Sequence, residues 1–214
     1  ILTAGLDRIS GEKFELKNNE ESQRHVEQMK KESFNVTDIT QKDVRRNPAA
    51  PFITSTLQQE SFNKLGFNAN KTMLIAQQLY EGIDLGDGET TGLITYMRTD
   101  SVNISQEALS KVRSMIEKDF GKKYLPDEPN KFKSKKSAQE AHEAIRPSDI
   151  SRKPSDVKQF LDADQTKLYE LIWNRFVACQ MTPAVYQQRK IEITAGIYQF
   201  GASGSMLMFE GYRK

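Results

Sequence analysis

Apolar residues recur at two different periods along the chain, and the change of period divides it. Near the start, Ile1–Ile9 reads as a strand, Ser10-Gly11-Glu12-Lys13 as a turn and Phe14–Lys17 as a second short strand. A polar connection with helical character, Asn19–Lys31, leads to Ser33–Ile39, where Phe34, Val36 and Thr37 favour a strand. The end of the chain has the same style. Tyr186–Thr194 alternates, Ala195-Gly196 turns, Ile197–Phe200 extends, Gly201–Gly204 turns again and Met206–Phe209 pairs back.

Between these ends the period is helical. Leu57, Phe62 and Leu65 predict a helix over Thr54–Leu65 closed by Gly66, and Met73, Ala76 and Leu79 or Tyr80 predict one over Asn70–Glu81 closed by Gly82. Ser105 is an N-cap candidate for a helix carrying Ala108, Leu109, Val112, Met115, Ile116 and Phe120, ending at Gly121. Ser137–Ile145 is expected as a short helix stopped by Pro147. Asp164–Met181 carries Leu168, Leu171, Ile172, Phe176 and Cys179 in a stripe with Trp173 on its flank and Pro183 beyond its end.

The pattern therefore predicts an α+β chain of two domains. A mainly α-helical domain, residues 55–182, is inserted into a discontinuous antiparallel β domain made of residues 1–54 and 183–214. Two crossings at one place would let the inserted domain swing as a body. Ile1 and the mid-strand character of the residues after it read as an excised fragment.

Composition narrows this picture only slightly. Lys plus Arg total 31 against 29 Asp plus Glu, a net charge of +2, so any nucleic-acid site must be local. The strongest basic cluster is Lys131-Phe132-Lys133-Ser134-Lys135-Lys136, preceded by Lys122-Lys123. Beside an active site such a loop could hold phosphates; elsewhere it is solvated surface. The lone cysteine, Cys179, fits a small buried hydrophobe and leaves no disulfide framework within the chain. The apolar runs are short, so no membrane partner is expected and a cytoplasmic protein is the default.

Candidate chemistry lies in two runs. In Ile94–Asn103, a phenol at Tyr96 stands two residues from the Arg98 guanidinium. A phenol titrates near ~10, so it becomes a useful nucleophile at neutral pH only where a nearby cation or base stabilises its oxyanion. The alternative is an ordinary strand, Leu93–Met97, in which Tyr96 and Arg98 merely share a face. The second run is Gln139–Pro147, where a helix would present His142 and Arg146 together. A His-Glu-Xaa-Xaa-His zinc motif is excluded because position 146 is Arg. The two helices joined through Gly66–Ala69 also have a helix-turn-helix shape, which keeps a non-catalytic nucleic-acid-binding module as the alternative function.

Gly92–Ser101, Gly-Leu-Ile-Thr-Tyr-Met-Arg-Thr-Asp-Ser, resembles the active-site tyrosine signature of bacterial type IA DNA topoisomerases, and residues 138–149 resemble their second signature. Residues 50–60 and 71–82 are similar to the lead-in, so the resemblance spans roughly 50–182, and Met97 favours the topoisomerase I branch. The resemblance implies that Tyr96 attacks a phosphodiester of single-stranded DNA. A transient 5′-phosphotyrosyl link then holds the broken end while a strand passes and negative supercoils relax, without ATP. It implies Arg98 as the stabiliser of developing charge and His142 as a residue positioning the scissile strand. Arg98, Thr99, Asp100, Ser101, His142 and Arg146 would contact the DNA. The family's Mg2+ is held by a Toprim domain with an Asp-x-Asp-x-Asp site. That spacing is not found at Asp84, Asp87 and Glu89, so no metal is expected here. The implied partners are DNA and the remaining domains of a nucleoid-associated parent enzyme, without which the fragment should be inactive.

Overall fold

The computed structural model describes residues 2–86, 88–133 and 142–214. In chain order the elements are strand β1 (Gly5–Ile9), helix α1 (Asn19–Met29), strand β2 (Asn35–Arg46) and helices α2 (Thr54–Leu65) and α3 (Ala69–Glu81). Two short strands follow, β3 (Ile83–Asp84) and β4 (Thr90–Thr91), then helices α4 (Gln106–Phe120), α5 (Pro154–Val157) and α6 (Ala163–Cys179), and strands β5 (Ala184–Ala195) and β6 (Tyr198–Phe209). The fold is α+β. The chain divides into two compact units: Ile1–Arg46 with Ala184–Glu210, and Asn47–Pro183 with Gly211–Lys214.

The first unit is an antiparallel four-stranded sheet in the order β1-β6-β5-β2. β5 and β6 form a hairpin closed between the paired Ala195 and Tyr198. Its turn holds Gly196 at φ 56°, a region a side chain rarely adopts. The expected turn at Gly201–Gly204 does not form. Gly201 pairs with Glu192 and Gly204 with Arg189, so the β5 ladder carries β6 through as one strand. β2 likewise continues past Ile39 to Arg46, because its polar stretch is paired residue by residue with β5. Phe14–Lys17 takes no regular structure. α1 starts at Asn18, whose side chain accepts the Glu21 N–H at 2.8 Å. It packs on Tyr198, whose hydroxyl donates to Gln28 Oε1 at 2.6 Å and lies 3.0 Å from His25 Nδ1. His25 is thereby accounted for as a packing residue.

The second unit is built around α6. Asp162 caps it, accepting from the Asp164 and Gln165 amides at 2.8 Å, while the Gln165 side chain returns a carbonyl to Asp162 N–H. Leu168, Tyr169, Ile172, Phe176, Val177 and Cys179 are buried along it, and α2, α3 and α5 all contact it. Its polar groups fasten nearby chain. Trp173 Nε1 donates to Ile150 O at 3.2 Å and the Tyr169 hydroxyl to Arg152 O at 2.7 Å, fixing the turn after Ser148. Arg175 stacks 4.3 Å over Phe52 and donates to Ala50 O, fixing the segment ahead of α2.

One expected element is corrected. Residues 137–141 lie outside the described residues, but 142–144 take no regular structure and Ile145 is a bridge residue, so this part is not helical. Ile145 forms a bridge with Phe52, and Pro147 one with Ile94. Hydrogen bonds to distant backbone thus override a local pattern favourable to helix.

Candidate active site

The stretch expected to carry the tyrosine chemistry is held by its neighbours on both sides. Residues 144–148 run between the Phe52 segment and the Leu93–Thr95 segment. Ile145 N–H donates to Phe52 O at 2.8 Å, Thr95 N–H to Arg146 O at 2.9 Å and Ser148 N–H to Leu93 O at 3.0 Å. Phe52, Leu93, Ala144 and Ile145 are fully buried, so these bonds are shielded from water. The Thr95 hydroxyl adds a bond to Ala144 O at 2.7 Å.

Past Thr95 the chain bends at Met97 and Arg98 and makes no regular strand. Side chains nevertheless alternate: Met97, Thr99 and Ser101 are buried, whereas Tyr96, Arg98 and Asp100 are exposed. The alternation is fixed by α2. Thr54 N–H donates to Thr99 O at 2.9 Å, and the Thr54 hydroxyl accepts the Thr99 N–H at 2.9 Å while offering its proton to Met97 O at 2.8 Å. Tyr96 and Arg98 therefore stand on one solvent-facing side, with Tyr96 46% exposed. Among the described residues, no hydrogen bond or ion pair engages Arg98 or Asp100. Both charges are available to a ligand.

Thr99 and Ser101 have other work. The Thr99 hydroxyl accepts the Ser101 N–H at 3.1 Å, and the Ser101 hydroxyl accepts the Asn103 N–H at 3.1 Å. Both residues are buried, and in this structure their two hydroxyls bond the backbone of the tyrosine run itself. Arg146 is also occupied. Its Nε donates to Glu143 Oε2 at 2.9 Å, a second nitrogen pairs with the same oxygen, and a third donates to Pro147 O at 2.9 Å. It closes the extended segment on itself, and the helical partnership with His142 does not exist. His142 is exposed, two residues before Ala144, whose N–H donates to Asn103 O at 2.8 Å.

Three contributors were not singled out by sequence. Thr54 and Thr95 act through hydroxyls that a residue pattern cannot orient. The third is Tyr80, whose only sequence signal was its place as an alternative to Leu79 in the α3 stripe. Its ring meets Tyr96 edge to face, with centroids 5.3 Å apart and planes at 64°.

The acidic loop is committed to its own turn. Asp84 Oδ1 accepts the Gly86 amide at 2.8 Å and the Gly88 amide at 3.3 Å; Asp87 lies outside the described residues. No group of three or more His, Cys, Asp or Glu among the described residues could hold a metal ion. Of the basic cluster, Lys131 to Lys133 are described, while residues 134–136 are outside the described residues. No described helix is long and apolar enough to cross a membrane.

A family model for DNA topoisomerase matches residues 3–214. The chain is 48% identical to DNA topoisomerase 1 of Rickettsia bellii, an alignment covering 100% of this chain and 27% of that protein. It is 47% identical to DNA topoisomerase 1 of Xylella fastidiosa, covering 98% and 27% respectively. Among solved structures, full-length topoisomerase I from Thermotoga maritima superposes with a TM-score of 0.82 at 38% identity, covering 99% of this chain and 33% of that one. The chain thus spans about a quarter of the length of the curated relatives it matches.

Proposed function

The chain belongs to the bacterial type IA DNA topoisomerase family, and from that premise we propose that it carries the nucleophile of a strand-cleaving and resealing enzyme. In this reading the Tyr96 oxygen attacks a phosphorus of single-stranded DNA, the bond to the 3′ oxygen breaks, and that oxygen leaves as a 3′-hydroxyl. The other end stays on the tyrosine as a 5′-phosphotyrosyl ester. Attack of the same hydroxyl on the ester reverses the step, so no ATP is consumed, and passage of a strand between the two steps relaxes negative supercoils. Arg98 stabilises charge on the phosphate or the departing phenolate, His142 holds the scissile strand, and Asp100 lies along its path.

The observation that carries this reading is the pairing of Thr95 with Ala144 and Arg146. It brings the tyrosine run and the His142 run, far apart in sequence, onto one three-ply backbone. The magnesium the family uses helps neutralise the phosphate charge. In this reading its ligands would come from the rest of the parent protein. The remaining partners in this scheme are those other domains, with the sheet unit as a hinge about which the tyrosine-bearing unit moves. Its setting is the bacterial cytoplasm, on the nucleoid.

The test uses the full-length parent. Tyr96→Phe should abolish the covalent DNA adduct trapped by detergent while leaving single-strand binding within about twofold, since only the attacking oxygen is lost. An adduct that persists overturns the assignment. The isolated chain should form no adduct even with magnesium present.

A further inference from the structure

We propose that Tyr80 is a positioning residue for Tyr96, holding its ring in the orientation from which the phenol oxygen can attack. This rests on Tyr96 being the nucleophile. Tyr96 is 46% exposed and Tyr80 40% exposed, and among the described residues neither hydroxyl has a hydrogen-bond partner. An exposed tyrosine free to turn about its side-chain torsions would spend much of its time misaligned with an incoming phosphate. The contact available to restrict it is the edge-to-face packing of Tyr80, at 5.3 Å and 64°.

The platform under Tyr80 is itself rigid. Leu79 is fully buried and its carbonyl accepts the Leu93 N–H at 2.7 Å, joining the last turn of α3 to the run that leads into Tyr96. The two segments approach so closely that a Cβ at Gly92 would lie 2.7 Å from the Tyr80 carbonyl oxygen. The backbone of Tyr80 is thereby held at a set distance from that of Leu93, three residues before Tyr96. A ring mounted on such a base can orient its neighbour, whereas a ring on a loose loop would move with it.

The property that matters is the ring, so Tyr80→Phe should retain it and Tyr80→Leu should lose it. In the full-length parent, Tyr80→Leu should slow single-turnover adduct formation about fivefold, the rate equivalent of a ring contact, with strand affinity within about twofold of the parent. Tyr80→Phe should restore the parental rate. In the chain itself, labelled with 13C-tyrosine, the Tyr96 ring signals should shift in Tyr80→Leu and stay in place in Tyr80→Phe. Unchanged Tyr96 signals in Tyr80→Leu, or a parental cleavage rate in that variant, overturn the proposal. So does a rate loss shared equally by both variants. Tyr96→Phe run in parallel keeps the outcomes apart: an adduct from that variant removes the nucleophile assignment, whereas its absence beside a fast Tyr80→Leu removes only the positioning role.

Discussion

Thr54 and Thr99 exchange hydrogen bonds in both directions: Thr54 N–H donates to Thr99 O, and the Thr54 hydroxyl accepts Thr99 N–H, both at 2.9 Å. This joins the first turn of α2 to the backbone just past Arg98. Replacing Thr54 by Val keeps the shape and removes the hydroxyl, leaving the Thr99 amide and the Met97 carbonyl without that partner. The expected cost is about 1–3 kcal/mol in urea denaturation. In the full-length parent, adduct formation should fall while strand binding persists. A variant of parental stability would show that water replaces the hydroxyl.

Gly92 and Gly204 make a matched pair of substitutions. A Cβ on Gly92 would meet the Tyr80 carbonyl at 2.7 Å, a backbone atom that cannot swing aside, whereas one on Gly204 meets nothing within 4 Å. Gly92→Ala should destabilise by about 1–3 kcal/mol and push α3 away from the tyrosine run. Gly204→Ala should change stability by no more than about 1 kcal/mol. Thermal unfolding of the two variants beside the parent checks both.

Arg98 and Arg146 should separate activity from stability. Lysine at 146 cannot reproduce the fork on Glu143 and Pro147, so Arg146→Lys should lose about 1–3 kcal/mol of stability. Arg98 is exposed, and Arg98→Lys should leave stability within about 0.5 kcal/mol. Adduct formation by the parent protein should nevertheless fall about a hundredfold in Arg98→Lys. Equal losses of stability in the two variants would contradict the structural division between them.

Acid should weaken the α2–α6 contact through Glu60. Burial raises the affinity of its carboxyl for a proton, but the bond from Lys64 and the charges of Arg175 and Lys64 outweigh that and hold it below the usual value of 4.5. A carboxyl depressed in the folded state contributes stability that is present above its unfolded value and lost as pH falls through its folded one. Stability should therefore decline below pH 4.5, and Glu60→Gln should flatten that part of the profile. Urea midpoints measured from pH 3 to 7 would show an undiminished slope if Glu60 does not contribute.

The helices were legible because their signals are local. Ser105 does cap α4, and Ala108, Val112 and Ile116 are buried at the spacing the sequence shows. Cys179 is buried as expected, its thiol pushed up to about 12 by burial. Where pairing between distant segments decides, local signals failed. The helical pattern near Ala144 yielded to carbonyls at Phe52 and Asn103, and the Gly201–Gly204 turn signal yielded to the β5 ladder. In the tyrosine run, the shared face of Tyr96 and Arg98 was legible from their two-residue spacing, but the burial of Thr99 and Ser101 was not. A hydroxyl in a sequence has no direction until a partner such as Ser101 N–H or Asn103 N–H is placed beside it.

Thr95 draws its amide to Arg146 and its hydroxyl to Ala144, partners 51 and 49 residues further along the chain. During synthesis, a nascent chain exposed only as far as Phe120 holds every atom of Tyr96 and none of this register. The register beside Tyr96 can form only once residues 144–146 have been made. The backbone setting of Tyr96 is thus completed late in the life of the polypeptide, timed by the length of chain that must emerge first.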